Sequence, residues 1–114
     1  MIFDTHAHYY DDAFDADRDA LLSALPEKGV ALVVCPGCDL ESSRQCVDLA
    51  ERYDYIYAAV GFHPENLEGA SLTDLDQIRT LAAHPRVKAI GEVGLDYYWV
   101  KSPEDRAFSR DFFD

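Results

Sequence analysis

The stretch that decides the fold is Val30-Ala31-Leu32-Val33-Val34-Cys35, a run of apolar residues, half of them β-branched valines. A strand with one face in water alternates apolar and polar residues, whereas a strand covered on both faces is apolar throughout. The run is also too short for a typical buried helix. We therefore predict a buried strand at residues 30–35, in a parallel sheet covered by helices.

Short apolar runs and helical patterns alternate on both sides of this strand. We predict further strands at residues 2–8, 55–62 and 87–93, and helices at residues 15–25, 40–53 and 72–83, with a fourth helix after Ser102. Asp39 and Ser102 are expected to cap the second and fourth helices. Ser71 and Asp74 are spaced as in a capping box at the start of the third helix.

This alternation of strands and helices predicts parallel strands joined by right-handed crossovers. Four βα units are half of an eightfold barrel, which typically has about 250 residues. An open four-stranded sheet is the alternative. Because the fourth helix ends with Phe112 and Phe113, for which the sequence shows no partner, we favour the N-terminal half of a (β/α)8 TIM barrel. Residues 1–114 are expected to form one partial domain of this kind.

Composition and charge limit the classes of function. The formal net charge is −12, and a surface of that sign repels phosphate backbones. A polyanionic substrate would therefore need metal ions or a local basic patch. No apolar run approaches the roughly 20 residues that span a bilayer, and the first residues lack the pattern of a secretory signal. We expect a cytoplasmic protein without membrane contact.

The cysteines allow more than one interpretation. Three cysteines, an odd number, do not suggest a disulfide framework. Cys35-Pro36-Gly37-Cys38 could be a redox motif or half of a zinc site, but no second pair of cysteines completes such a site. We favour a tight turn at Pro36 and Gly37 between cysteines that serve as small buried residues.

Two histidines end the first predicted strand. Alternate side chains of a strand share a face, so Asp4, His6 and His8 are expected to point the same way, into the C-terminal mouth of a barrel. Imidazoles spaced about 6–7 Å along a strand can converge on one ion, and neutral imidazole suits Zn, Mn or Fe. Ordinary hydrogen-bonded histidines are the alternative. We interpret His6 and His8 as metal ligands.

Glu92 is a lone carboxylate in an otherwise apolar predicted strand. A buried carboxylate must be protonated, paired or bound to a cation. Arg86 and Lys88 are candidate partners, but Lys88 lies about 13 Å back along the strand. A metal-bridging role for Glu92 satisfies the carboxylate fully. His63, before Pro64 at the end of the third strand, could bind a substrate phosphate or a metal, or have no function.

Three separated motifs together resemble the TatD-type metal-dependent hydrolases, relatives of the amidohydrolases that include deoxyribonucleases. The motifs are Asp4-Thr5-His6-Ala7-His8, Gly61-Phe62-His63-Pro64 and Gly91-Glu92-Val93-Gly94-Leu95-Asp96-Tyr97. The resemblance extends from residue 2 to the end of the chain, and the third motif is its most specific part. It implies a (β/α)8 barrel of about twice this length, in agreement with the count of βα units.

The resemblance also implies roles for individual residues. His6 and His8 resemble the ligands of one metal ion, and Glu92 resembles the carboxylate that bridges two divalent ions, Mg²⁺, Mn²⁺ or Zn²⁺. Glu92, His63 and Asp96 are the expected catalytic residues, with His63 on the scissile phosphate and Asp96 orienting water. The remaining ligands of the family, two histidines and an aspartate, would lie beyond residue 114, so we expect these 114 residues alone to be inactive.

The expected function is divalent-metal-dependent hydrolysis, with DNA or another phosphodiester as the substrate and metal-activated water as the nucleophile. Tyr97, Tyr98 and Trp99 could stack on a base or pack against the rest of a barrel. Two alternatives remain: a related metallohydrolase that cleaves an amide, ester or lactone, and a catalytically incomplete fragment or binding module that pairs its open strand edges with another copy. The oligomeric state is left open.

Overall fold

The computed structural model describes all 114 residues, as four strands that alternate with four α-helices. These are β1 Ile2–Asp4, α1 Arg18–Ala24, β2 Val30–Pro36, α2 Leu40–Arg52, β3 Ile56–Val60, α3 Asp74–Ala82, β4 Val87–Ile90 and α4 Pro103–Phe113, with short 3-10 helices at Asp12–Phe14, Pro26–Lys28 and Pro64–Asn66. All strand pairs are parallel, in the order β1-β2-β3-β4. The predicted βα order and parallel sheet are confirmed. None of the helices is long and apolar enough to cross a membrane.

Three strands are shorter than the sequence predicts. β1 ends at Asp4, β3 at Val60 and β4 at Ile90, so the histidines after β1 and the glutamate after β4 lie in loops. Single backbone hydrogen bonds continue the pairing past the ends, from Ala7 N to β2 (3.2 Å) and from Gly91 N to β3 (3.0 Å).

The helix caps are partly as predicted. Asp39 accepts a hydrogen bond from a first-turn backbone N–H of α2 (2.8 Å), and Ser102 does the same for α4 (3.0 Å). The capping box predicted for α3 is wrong. Asp74 does accept from Ser71 N (3.0 Å), but the Ser71 hydroxyl contacts a neighbouring threonine hydroxyl, and the helix begins at Asp74 itself.

Helix α1 begins at Arg18, three residues later than the predicted start at 15. The guanidinium of Arg18 donates to the backbone carbonyls of Tyr9, Tyr10 and Asp11, at 2.7, 3.1 and 2.8 Å. The loop before α1 is therefore held by hydrogen bonds to a side chain and not by helical backbone hydrogen bonds. This contact fixes the segment that follows the two histidines.

The core lies where β2 and β3 meet α2. Its completely buried side chains include Leu22, Val33, Cys35, Cys46, Ile56, Ala58 and Val60. At its edge, the Phe112 ring is buried and packs edge-to-face on Phe62, with ring centroids 5.0 Å apart, and Phe113 packs on Phe112 at 5.4 Å. The expectation that Phe112 and Phe113 have no partner was therefore wrong, because α4 folds back onto the end of β3.

Candidate metal centre

His6, His8 and Glu92 come together at the C-terminal end of the sheet. The Nε2 atoms of the two histidines are 3.0 Å apart; His6 Nε2 lies 3.6 Å from Glu92 Oε1 and His8 Nε2 lies 3.6 Å from Glu92 Oε2, and one donor atom from each residue lies within 4.8 Å of the others. Ligands bound about 2.1 Å from an ion at tetrahedral angles stand about 3.4 Å from one another. These spacings and this donor set therefore fit a divalent ion such as Zn²⁺ or Mn²⁺.

Two glycines let Glu92 reach the histidines across the sheet. Its backbone N donates to Gly37 O at the end of β2 (3.0 Å), so the chain from β4 passes over the end of β3. At Gly61, a Cβ atom would lie 2.8 Å from Glu92 O and 2.9 Å from Gly91. Ser43, completely buried in α2, holds Gly61 through both its N (3.1 Å) and its O (3.2 Å).

The His8 ring is oriented by its second nitrogen. Nδ1 lies 3.2 Å from Pro36 O and 2.9 Å from the Tyr10 hydroxyl. A backbone carbonyl only accepts hydrogen bonds, so the proton is on Nδ1. Nε2 is then unprotonated and lies 3.0 Å from His6 Nε2 and 3.6 Å from Glu92 Oε2, and an unprotonated Nε2 with Nδ1 held by a partner is the arrangement of a histidine that binds metal.

Cys38 and Tyr10 belong to the site, and the sequence analysis missed both. Cys38 Sγ donates to Glu92 Oε2 (3.2 Å) and lies 3.2 Å from the Tyr10 hydroxyl. Burial raises the pKa of Cys38 to about 11 and also raises that of Tyr10, so both keep their protons at neutral pH. The interpretation of both motif cysteines as small buried residues holds for Cys35, whose Sγ contacts that of Cys46 (3.3 Å), but not for Cys38.

His63 and Asp96 lie at the same end of the sheet without a hydrogen bond to the three candidate ligands. His63 N donates to Cys38 O (2.8 Å), and its Nδ1 accepts from Glu65 N (3.2 Å), which leaves Nε2 free. The carboxylate of Asp96 accepts from Tyr98 N (2.8 Å) and from the following N–H. Asp96 therefore shapes its own loop.

The alternative partners of Glu92 are engaged elsewhere. Arg86 donates to backbone carbonyls at the end of α2 and in the following loop, and its guanidinium stacks on the ring of Tyr57 at 4.3 Å. Lys88 lies over the same ring at 5.7 Å. His84, in the turn after α3, is 2.7 Å from Glu51 of α2. No lysine or arginine pairs with Glu92, whose nearest nitrogen partners are the two imidazoles of His6 and His8.

Comparison with known proteins identifies the family. The model of the TatD related DNase family matches residues 3–114. The chain is 41% identical over 105 residues to YabD of Bacillus subtilis, described as an uncharacterized metal-dependent hydrolase, covering 92% of this chain and 41% of that protein. It is 38% identical over 114 residues to TatD of Musicola paradisiaca, described as a 3'-5' ssDNA/RNA exonuclease, covering 95% and 42%.

A solved structure agrees with these relatives. The crystal structure of YjjV, a TatD homologue from Escherichia coli, superposes with a TM-score of 0.82 at 30% identity, covering 99% of this chain and 44% of that chain. The class that the fold and these comparisons define is the α/β TatD-type barrel, of which the four βα units form the N-terminal part. The chain belongs to the TatD related DNase family and spans less than half the length of the relatives it matches.

Proposed function

We propose that the chain supplies His6, His8 and Glu92 as ligands to the metal centre of a divalent-metal-dependent hydrolase. The observation that carries the proposal is the approach of two imidazole nitrogens and a carboxylate to 3.0–3.6 Å of one another, with no lysine or arginine among them. A bound divalent ion lowers the pKa of water from about 15.7 to about 7, which supplies hydroxide at neutral pH.

The chemistry of the carboxylate supports a second ion. Each oxygen of Glu92 has two lone pairs, so the group can bind one ion beside the histidines and still serve a second. We therefore propose a pair of ions, Mg²⁺, Mn²⁺ or Zn²⁺, bridged by Glu92. This chain offers two imidazoles and one carboxylate in the cluster, and further ligands complete the pair.

We propose phosphodiesters of single-stranded nucleic acid as the substrate. The support is the exonuclease description of the relative from Musicola paradisiaca and the metal centre, whose charge would offset the net −12 of the chain. Tyr98 and Trp99, in the loop that follows Glu92, are about two-thirds exposed. Stacking of a base on such a ring contributes about 1–3 kcal/mol.

The remaining residues have supporting roles in this proposal. The free Nε2 of His63 is the candidate contact for the scissile phosphate, because Nδ1 is occupied by a backbone N–H. Asp96 holds the loop that carries Tyr98 and Trp99 through its bonds to their backbone N–H groups. A water-orienting role for Asp96 stays a prediction.

Calorimetric titration with Mn²⁺ together with hydrolysis of a labelled single-stranded DNA oligomer tests the proposal. We expect Mn²⁺ binding that is lost in His6→Ala and Glu92→Ala and kept in His84→Ala. His84 is the matched control, because it pairs with Glu51 of α2. DNA cleavage that requires Mn²⁺ and the same residues supports the full proposal.

The other outcomes separate the alternatives. Metal binding without cleavage of DNA or RNA, both by the 114 residues and by a longer polypeptide that contains them, contradicts the proposed substrate and leaves a metallohydrolase that acts on an amide, ester or lactone. If the 114 residues bind metal without cleaving DNA or RNA, and a longer polypeptide that contains them does cleave, the 114 residues are an incomplete fragment of a nuclease. Absence of binding of any divalent ion contradicts the metal centre.

A further inference from the structure

A chain of hydrogen bonds joins two of the candidate metal ligands through side chains outside the metal cluster. It runs from His8 Nδ1 to the Tyr10 hydroxyl (2.9 Å), from there to Cys38 Sγ (3.2 Å), and on to Glu92 Oε2 (3.2 Å). His8 follows β1 and Glu92 follows β4, the two outermost strands of the sheet. Cys38 follows β2 and lies between them.

Counting protons fixes the direction of every bond in this chain. A thiol has one proton, and Cys38 uses it on the carboxylate of Glu92. The Tyr10 hydroxyl must therefore donate its only proton to Cys38 Sγ, and its oxygen accepts from His8 Nδ1–H. The histidine end of the hydrogen-bond chain gives the same direction. Pro36 O can only accept a hydrogen bond, so its contact with His8 Nδ1 also requires a proton on that nitrogen.

This direction places both ligands in the state that metal binding requires. Glu92 accepts the thiol proton through Oε2, and this bond fixes the orientation of the group, since rotation would break it. His8 presents the bare Nε2 atom to the centre. Oε2 keeps a second lone pair for an ion, so the thiol does not compete with the metal.

We propose that Cys38, relayed through Tyr10, is a positioning residue that orients Glu92 and couples it to His8 for metal binding. This inference rests on the proposed metal centre. Partners that hold metal ligands in place typically contribute about 10- to 100-fold to metal affinity. In this proposal the proton of the Cys38 thiol orients Glu92, and the volume of the side chain does not matter. Cys38 therefore differs from a turn cysteine that only fills space.

Two substitutions at one position separate the proton from the volume. Cys38→Val keeps a side chain of similar size and removes the donor, whereas Cys38→Ser keeps a donor in a smaller group. We expect the Kd for Mn²⁺ to rise about 10- to 100-fold in Cys38→Val. In Cys38→Ser we expect most of the lost affinity to be restored, so that the Kd is close to the wild-type value. Tyr10→Phe is expected to have an intermediate effect, because Pro36 O still holds His8.

A spectroscopic measurement in the metal-free protein is independent of metal binding. The S–H stretching band of Cys38, isolated as the infrared difference between the wild type and Cys38→Ser, is expected at the position of a hydrogen-bonded thiol. In Glu92→Ala it is expected to shift toward that of a free thiol. The urea midpoint of metal-free Cys38→Val is expected to stay at the wild-type value, which separates positioning from a purely structural role.

The failures of the two proposals are distinguishable. Mn²⁺ binding by Cys38→Val within twofold of the wild type overturns the role of Cys38, as does a free S–H band, while the metal centre stands. If Cys38→Ser binds no better than Cys38→Val, the proton is not the active feature and the inference is also overturned. Absence of Mn²⁺ binding by the wild type overturns the metal centre and, with it, the positioning role.

Discussion

The two middle strands of the sheet differ from the two outer strands in both burial and chemistry. β2 and β3 contain completely buried side chains, among them Val33 and Ile56, whereas Ile2 and Phe3 of β1 and Ile90 of β4 are more than half exposed. The candidate metal ligands follow the outer strands. The middle strands are followed instead by the residues that support those ligands.

Within these four strands, the buried centre and the exposed edges make different contributions. The middle strands and α2 form the core, and burial of apolar surface there is the main source of stability. The outer strands bury little, and the loops after them carry the groups that an ion needs. The two regions meet at Gly37 and Gly61, where the Glu92 segment crosses the ends of the middle strands. Substitutions should therefore affect the two regions differently.

The largest expected effect compares the same residue type in the two regions. Ile56→Ala in β3 removes a completely buried side chain and should lower the free energy of unfolding by about 2–5 kcal/mol, because it leaves a cavity. Ile90→Ala in β4 removes a side chain that is 58% exposed and should change it by less than about 1 kcal/mol. Urea unfolding followed by circular dichroism measures both. Equal losses would contradict the division of the sheet.

The second effect compares two buried serines. Ser43 bridges both backbone groups of Gly61, whereas the buried Ser109 hydroxyl has no hydrogen-bond partner. Ser43→Ala should cost about 1–3 kcal/mol, because it leaves buried backbone groups unpaired, and it should weaken Mn²⁺ binding through the shift of Gly61. Ser109→Ala should be neutral or slightly stabilising. A larger loss in Ser109→Ala than in Ser43→Ala would show that the bridge does not hold the end of β3.

The third effect concerns the helices that cover the two regions. Asp39→Ala removes the side chain that caps α2, next to the middle strands, and should cost about 1 kcal/mol. Thr73→Ala is the matched control at α3, where the capping side chain makes no bond to the helix. Thr73→Ala should change the free energy of unfolding by less than about 0.5 kcal/mol from the wild-type value. Indistinguishable thermal midpoints for the two variants would be evidence against a capping role of Asp39.

The smallest effect concerns an exposed contact between α1 and α2. Hydrogen bonds from Tyr53 and Arg52 lower the pKa of Asp19. A carboxylate with a lowered pKa stabilises the fold above its unfolded-state pKa, and this stability is lost as the pH falls through the folded value. Asp19→Asn should therefore lower the urea midpoint slightly at neutral pH and not in strong acid. Asp111→Asn, at an exposed carboxylate of α4, is the control, and a constant difference at all pH values would contradict the linkage.

Much of the fold follows from local patterns. The apolar run at residues 30–35 became β2, and the cap at Asp39 began α2 where expected, because strand and helix periodicities and caps depend on a few neighbouring residues. The half-barrel prediction is also confirmed. Its stated reason was not, since Phe112 finds a partner in Phe62, a contact between residues far apart in the sequence.

The sequence by itself determined the order of strands and helices, the family, and His6, His8 and Glu92 as residues to examine. Only the tertiary structure decided where the strands stop, how Glu92 crosses Gly61 toward the histidines, and that Cys38 lies within hydrogen-bond distance of Glu92. Cys38 and Glu92 are 54 positions apart, and Tyr10 and Cys38 are 28 apart. A contact of that kind depends on the packing of several elements at once, and no local pattern encodes it.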